Sequence, residues 1–113
     1  MKRIDFQSTA DQQVLYLTTI GRSTGLPREI EIWFVVCRGR FYLLAEKGEA
    51  AGWVKNIRHN PKVAIGIGEL HIGATARLLD RQADRQLWQE IAAIADRKYG
   101  WSQGLPVELA PDA

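Results

Sequence analysis

The sequence predicts a mainly β fold: six antiparallel strands forming a closed or split barrel, with one short helix and one long helix. Strand-like runs follow one another across tight turns, and only two helical patterns interrupt them. That order excludes a parallel α/β arrangement. The segment Phe41 to Ala45 is apolar on both faces, and a barrel is the natural way to bury such a strand. At 113 residues, 46% of them apolar, the chain is long enough to bury a core without disulfides or a structural metal, and 1–113 reads as one domain.

The first strand runs from Val14 to Ile20, rich in β-branched and aromatic residues, and ends at Gly21. Residues 21–27 hold two glycines and a proline and read as a loop. The second strand starts near Arg28. Ile30, Ile32, Phe34 and Val36 alternate onto one face, while Trp33 shares the other with Glu29 and Glu31. Arg38-Gly39-Arg40 makes a tight turn into the third strand, Phe41 to Ala45, so the two form a hairpin.

A polar, glycine-bearing loop, 46–52, leads to a short helix expected over 53–60. Trp53, Val54 and Ile57 form its apolar face, and Lys55, Asn56, Arg58 and His59 take the remaining positions. Pro61 stops it. The fourth strand, Lys62 to Gly68, has Val63, Ile65 and Ile67 on one face. Ala64, Gly66 and Gly68 on the other would let a neighbouring element or ligand approach closely. Leu70 to Leu79 is the fifth strand. Asp80 is placed to cap a long helix over 81–98, with Leu87, Ile91, Ile94 and Ala95 as its buried stripe and Gly100 past its end. Leu105 to Leu109 closes the set as a sixth strand.

A formal charge of +2 is too weak for a general nucleic-acid binder. Cys37, the one cysteine, sits in an apolar run and reads as a buried, inert thiol. The N-terminal residues lack the apolar stretch of a signal peptide, and no apolar run is long enough to cross a bilayer, so a cytoplasmic protein is expected. Two histidines and one cysteine, far apart, make no metal site. His59 reads as solvated and His71 as structural. Nucleophile-elbow and phosphate-loop motifs are missing, so any chemistry calls for a bound cofactor.

Basic residues gather around two loops. Arg22 and Arg28 flank the 21–27 loop, Lys47 follows the third strand, and Lys55, Arg58 and Lys62 lie on or after the short helix, with no acid from 50 to 68. Brought together, these groups and free loop amides suit an anionic phosphate tail; left apart, they are a solvated rim. Trp33, on a polar strand face, either covers a flat ring, packs in a dimer interface or caps the barrel.

The run Thr18-Thr19-Ile20-Gly21-Arg22-Ser23-Thr24-Gly25-Leu26-Pro27-Arg28 resembles a signature of the deazaflavin-dependent nitroreductase and quinone reductase family. Phe41 to Glu49 is similar as well, and Trp53-Val54-Lys55-Asn56-Ile57-Arg58-His59-Asn60-Pro61-Lys62-Val63 resembles the family's Trp-x-x-Asn-(Leu or Ile)-x-x-Asn-Pro-x-Val. The resemblance implies a split β-barrel related to pyridoxamine phosphate oxidase-like flavin-binding proteins, usually a homodimer. It implies hydride transfer from reduced coenzyme F(420) to a small-molecule acceptor: a quinone, nitroaromatic or enone. It also implies cofactor contacts at Arg22, Ser23, Thr24, Pro27, Arg28, Trp33, Lys47, Trp53 and Asn56, with Arg22 and Arg28 toward the phosphate and tail. The catalytic proton donor is left unassigned. Relatives often carry a lysine at the place of Ser23, a basic residue at Leu26 and a serine at Glu46. Two further readings therefore stay open: a flavin mononucleotide enzyme on the same barrel, and a non-catalytic barrel holding a flavin-like or haem-like ligand.

Overall fold

The structure, a computed structural model, describes residues 4–112. Six strands form a closed antiparallel barrel: β1 (Val14–Ile20), β2 (Pro27–Cys37), β3 (Arg40–Ala45), β4 (Lys62–Ile67), β5 (Leu70–Leu78) and β6 (Leu105–Pro111). Around the barrel the order is β1-β2-β3-β6-β5-β4, with β4 returning to β1. The alternation in the sequence sets which residues point inward. Leu15, Leu17, Phe34, Phe41, Leu43, Ile65, Val107 and Leu109 fill the interior.

Three helices decorate the barrel: α1 (Phe6–Ala10), α2 (Gly52–His59) and α3 (Arg85–Tyr99), with a single 3-10 turn at Gly48–Ala50 ahead of α2. Helix α1 has no counterpart in the sequence reading, because five residues carry too little periodicity to register. Asp5 caps it by accepting the Ser8 N–H at 3.1 Å. Phe6 packs against the barrel core, its ring centroid 5.3 Å from that of Phe41.

Helix α3 lies on the outer side of β2 and β3. Val35, Cys37, Tyr42, Leu79, Ile91 and Ala95 form a second apolar cluster there. Full burial of a side chain the size of Ile91 contributes roughly 1.5–3 kcal/mol. Burial, aided by nearby Glu90, raises the Cys37 thiol above its ordinary value, as befits an inert residue.

The long helix starts at Arg85, not at 81. The Asp80 carboxylate accepts the Gln82 and Ala83 amides at 3.0 and 2.8 Å and so closes a turn. Asp84 reaches back to the Asp80 amide and to Arg77. Gly100, with φ of 71°, ends the helix as expected. The short helix begins one residue early, at Gly52, and Asn56 departs from its expected polar position: it is buried. On β4 the neighbour of Gly66 is the His71 ring across the strand pair; a Cβ at Gly66 would stand 3.3 Å from its Nδ1.

Strands β2 and β3 are joined through Arg38 and Gly39, both at positive φ, and pair only from Cys37–Arg40 to Phe34–Leu43. Beyond that pair they part. The 27–33 half of β2 pairs with β1 alone, while β3 continues along β6 to Ala45. The barrel stays closed through that pairing, but its wall splays into a split beyond it, and the split positions the site.

Candidate functional site

A cleft of about 820 Å³ opens where β2 and β3 diverge. One wall is β2, through Ile30, Ile32 and Trp33, and the opposite wall is Leu44, Glu46, Lys47 and the start of α2, Ala51 to Trp53. Trp101 closes it from the segment after α3. The two-residue turn makes Cys37 and Arg40 a hydrogen-bonded pair, and antiparallel alternation then turns the backbone groups of Glu29, Glu31 and Trp33 toward the gap. Phe34 has the opposite phase. Its N–H donates to the Tyr99 hydroxyl at 3.0 Å on the β1 side.

Trp33 is held before any ligand arrives. It is 44% exposed, yet its ring stacks on Tyr99 with centroids 4.3 Å apart. Tyr99 is fixed in turn by its hydroxyl, which lies 2.8 Å from both the Phe34 and the Gln13 carbonyl oxygens. Trp101 is fixed through Gly104. A Cβ at Gly104 would come within 2.8–2.9 Å of the Leu44 and Ala45 backbone, so only glycine lets this segment lie against the end of β3.

The other end of the cleft is polar. The first helical hydrogen bond of α2 runs from the Lys55 amide to the Ala51 carbonyl. The amides of Gly52, Trp53 and Val54 therefore have no acceptor inside the helix, and Ala51 supplies no side-chain cap. Such a helix start favours anions. Lys47 is exposed beside it and forms no ion pair among the described residues.

Arg22 reaches the first turn of α2 at its carbonyl side. Its Nη1 donates to the Asn56 Oδ1 at 2.8 Å and to the Gly52 carbonyl at 3.3 Å. Asn56 Oδ1 also accepts the Arg22 amide at 3.2 Å, and its Nδ2 donates to the buried Thr19 hydroxyl at 3.1 Å. The end of β1, the 21–27 loop and α2 are thus joined through one carboxamide.

Of the nine residues expected at a cofactor, Trp33, Lys47 and Trp53 line the cleft, and Arg22 and Asn56 meet beside Gly52, which lines it, without lining it themselves. Ser23, Thr24, Pro27 and Arg28 are exposed on the loop and the first residues of β2, outside the lining. The Thr24 hydroxyl accepts the Leu26 amide at 3.2 Å, so it shapes the loop itself. Arg58 pairs with Glu49 at 2.6 Å and Lys62 with Asp112 at 3.5 Å, which takes both out of a common cationic mouth. Trp101 is the residue sequence reading missed. Its only signal was a tryptophan in a glycine-flanked polar stretch, Tyr99 to Gly104. Among the described residues, no helix is long and apolar enough to cross a membrane, and no group of His, Cys, Asp or Glu is placed to hold a metal ion.

The sequence model of the F(420)H(2)-dependent quinone reductase family matches residues 5–110. An F(420)H(2)-dependent quinone reductase of Mycobacterium tuberculosis is 32% identical over 66 residues, a match covering 56% of this chain and 44% of that protein. The chain thus spans less than half the length of this relative. Among solved structures, an F(420)H(2)-dependent reductase superposes with a TM-score of 0.66 at 23% identity, covering 87% of this chain and 93% of the other. A second, described as a domain-swapped dimer, gives 0.68 at 27% identity, covering 88% and 81%.

Proposed function

Because the chain belongs to the F(420)H(2)-dependent quinone reductase family, we propose that it uses reduced coenzyme F(420) in the split of the barrel to reduce a flat quinone-type acceptor. The observation that carries this reading is the division of one cleft into two chemistries. Indole rings and a free strand edge line it, and so does an uncapped helix start with Lys47, with Arg22 held on the Gly52 carbonyl beside it. A cofactor with a flat ring and an anionic phosphodiester tail needs both.

The deazaflavin, when bound, supplies the hydride. Everything else falls to the chain. The free amides of Gly52 and Trp53, together with Lys47 and Arg22, hold the anionic part. The backbone groups of Glu31 and Trp33, turned toward the gap, would bind the polar edge of the ring. Trp33, fixed by Tyr99, would orient the ring and so would replace chance encounter of donor and acceptor by a held arrangement. Trp53 and Trp101 exclude water from the reacting faces. Ser23, Thr24, Pro27 and Arg28 stand at the loop that an extended tail would follow. Asn56 acts through Arg22.

Quinones are the favoured acceptors over nitroaromatics and enones, in line with the family. A homodimer is the favoured assembly, in line with the dimeric neighbour. The test is a fluorescence titration with oxidised coenzyme F(420) and, separately, flavin mononucleotide, followed by consumption of reduced F(420) over a panel of the three acceptor classes. Micromolar F(420) binding with fastest turnover on quinones is expected. Absence of F(420) binding defeats the reading. Binding of flavin mononucleotide alone replaces the cofactor, and F(420) binding without turnover makes the chain a carrier.

A further inference from the structure

We infer that Asn56 is a positioning residue: its buried carboxamide holds Arg22 so that the unused edge of the guanidinium faces the anionic part of the cofactor. This rests on the reading of the cleft as a coenzyme F(420) site, and it changes what the asparagine does there.

Asn56 is only 7% exposed, and both ends of its side chain are satisfied within the protein. Its Oδ1 takes two hydrogen bonds, both from Arg22, and its Nδ2 gives one to Thr19, itself 1% exposed. Both lone pairs of Oδ1 are taken, and one Nδ2 hydrogen remains on a side chain that is all but removed from solvent. A contact role is therefore exchanged for a mechanical one.

The guanidinium of Arg22 is anchored through Nη1 alone. Its Nε and Nη2 donate to no protein group among the described residues, and the residue is exposed beside the Gly52 carbonyl, in the first turn of the helix that lines the cleft. An arginine fork held by one nitrogen keeps a second pair of donors in a fixed plane, the geometry that fits a phosphate oxygen pair. A free arginine would lose side-chain entropy on binding; this one has already lost it. Asn56 does the holding, and an aspartate at 56 would hold equally well but cancel the charge. A neutral carboxamide is the group that fixes a cation without neutralising it.

The test separates the tail from the ring. Dissociation constants are measured by fluorescence for oxidised coenzyme F(420) and for the deazaflavin riboside that lacks the phosphodiester tail. The proteins are wild type, Asn56→Ala, Arg22→Gln and the double variant, with thermal unfolding recorded for each. Asn56→Ala is expected to weaken F(420) about tenfold, the scale of one charge-assisted hydrogen bond, and to leave the riboside unchanged. Arg22→Gln does the same, and the double variant loses no more than Arg22→Gln alone, because both act through one guanidinium.

Equal losses on both ligands overturn the inference, as do single losses that multiply in the double variant. If Asn56→Ala does not fold, the exposed Arg22 still decides: Arg22→Gln must lower affinity for F(420) and spare the riboside. Wild-type protein that binds neither ligand overturns the cofactor reading itself. Wild type that binds both equally well overturns only the role given to Arg22 and Asn56.

Discussion

The rings of Trp33 and Tyr99 lie 4.3 Å apart and within 5° of parallel. One belongs to the strand that walls the cleft and the other to the last residue of α3. The stack therefore couples the packing of α3 to the shape of the site.

The two functions of Tyr99 separate by substitution. Tyr99→Phe keeps the stack but removes the acceptor of the Phe34 N–H. A loss of about 1–3 kcal/mol is expected, the cost of an orphaned polar group, with ligand affinity in the cleft little changed. Tyr99→Leu removes the stack as well, and affinity for a flat ligand should then fall. Urea unfolding and ligand titration on the two variants read the two effects apart; equal affinity in both would dissociate the stack from the site.

On the outer side of β6, Glu108 is buried and accepts from the Tyr42 hydroxyl at 2.9 Å and from Arg40 at 2.8 Å, with Arg77 at 3.4 Å. Burial works to raise the carboxyl, but the Tyr42 and Arg77 hydrogen bonds and the Arg77 and Arg40 charges outweigh it and hold it below its ordinary value. A carboxyl depressed in the folded state stabilises above its unfolded value and loses that contribution as pH falls through the folded one. Glu108→Gln should cost about 1.5–3 kcal/mol at neutral pH and flatten the acid limb of a stability-against-pH curve. An acid limb identical to wild type would assign acid unfolding to other groups.

Lys98 gives the opposite limb. Its ammonium donates to the Phe34 carbonyl at 3.0 Å and lies 4.0 Å from the Phe34 ring centroid. Burial pushes its pKa down to about 8, against a small opposing pull from Asp11. From that pH up to the ordinary lysine range, the unfolded chain binds the extra proton and the folded one does not, so stability contributed by this site rises with pH. Melting temperature measured from neutral pH to moderately alkaline pH should show the rise in wild type and lose it in Lys98→Met. A rise that survives the substitution removes Lys98 as its source.

Gly104→Ala tests how Trp101 is placed. The added methyl would meet the backbone of Leu44 and Ala45 at 2.8–2.9 Å, and backbone cannot swing aside as a flexible side chain does. Overpacking of this kind costs about 1–3 kcal/mol. The displaced segment should also weaken binding in the cleft and shift the tryptophan emission. A stable variant with unchanged affinity would show that Trp101 need not sit where it does.

Much of the fold was legible locally. Alternating β-branched and aromatic residues located β1 to β6, Gly100 ended α3, and Arg38-Gly39 supplied the turn between β2 and β3. The start of α3 was misjudged because Asp80 satisfies a turn as readily as it caps a helix. The site was legible in its tryptophans and cations but not in their division of labour. Thr24, expected at the cofactor, also braces its own loop, which no local pattern announced.

The sequence by itself determined which side chains share a face, because period and turn chemistry are properties of neighbouring residues. It also carried the motif that ties the chain to its family. Only the tertiary structure decided where the barrel opens, since that depends on the register at which β2 leaves β3. The same holds for the meeting of Arg22 with Asn56, 34 positions along the chain, and of Trp33 with Tyr99, 66 positions along. Contacts across such distances follow from the docking of α2 and α3 on the closed barrel, which no local pattern records.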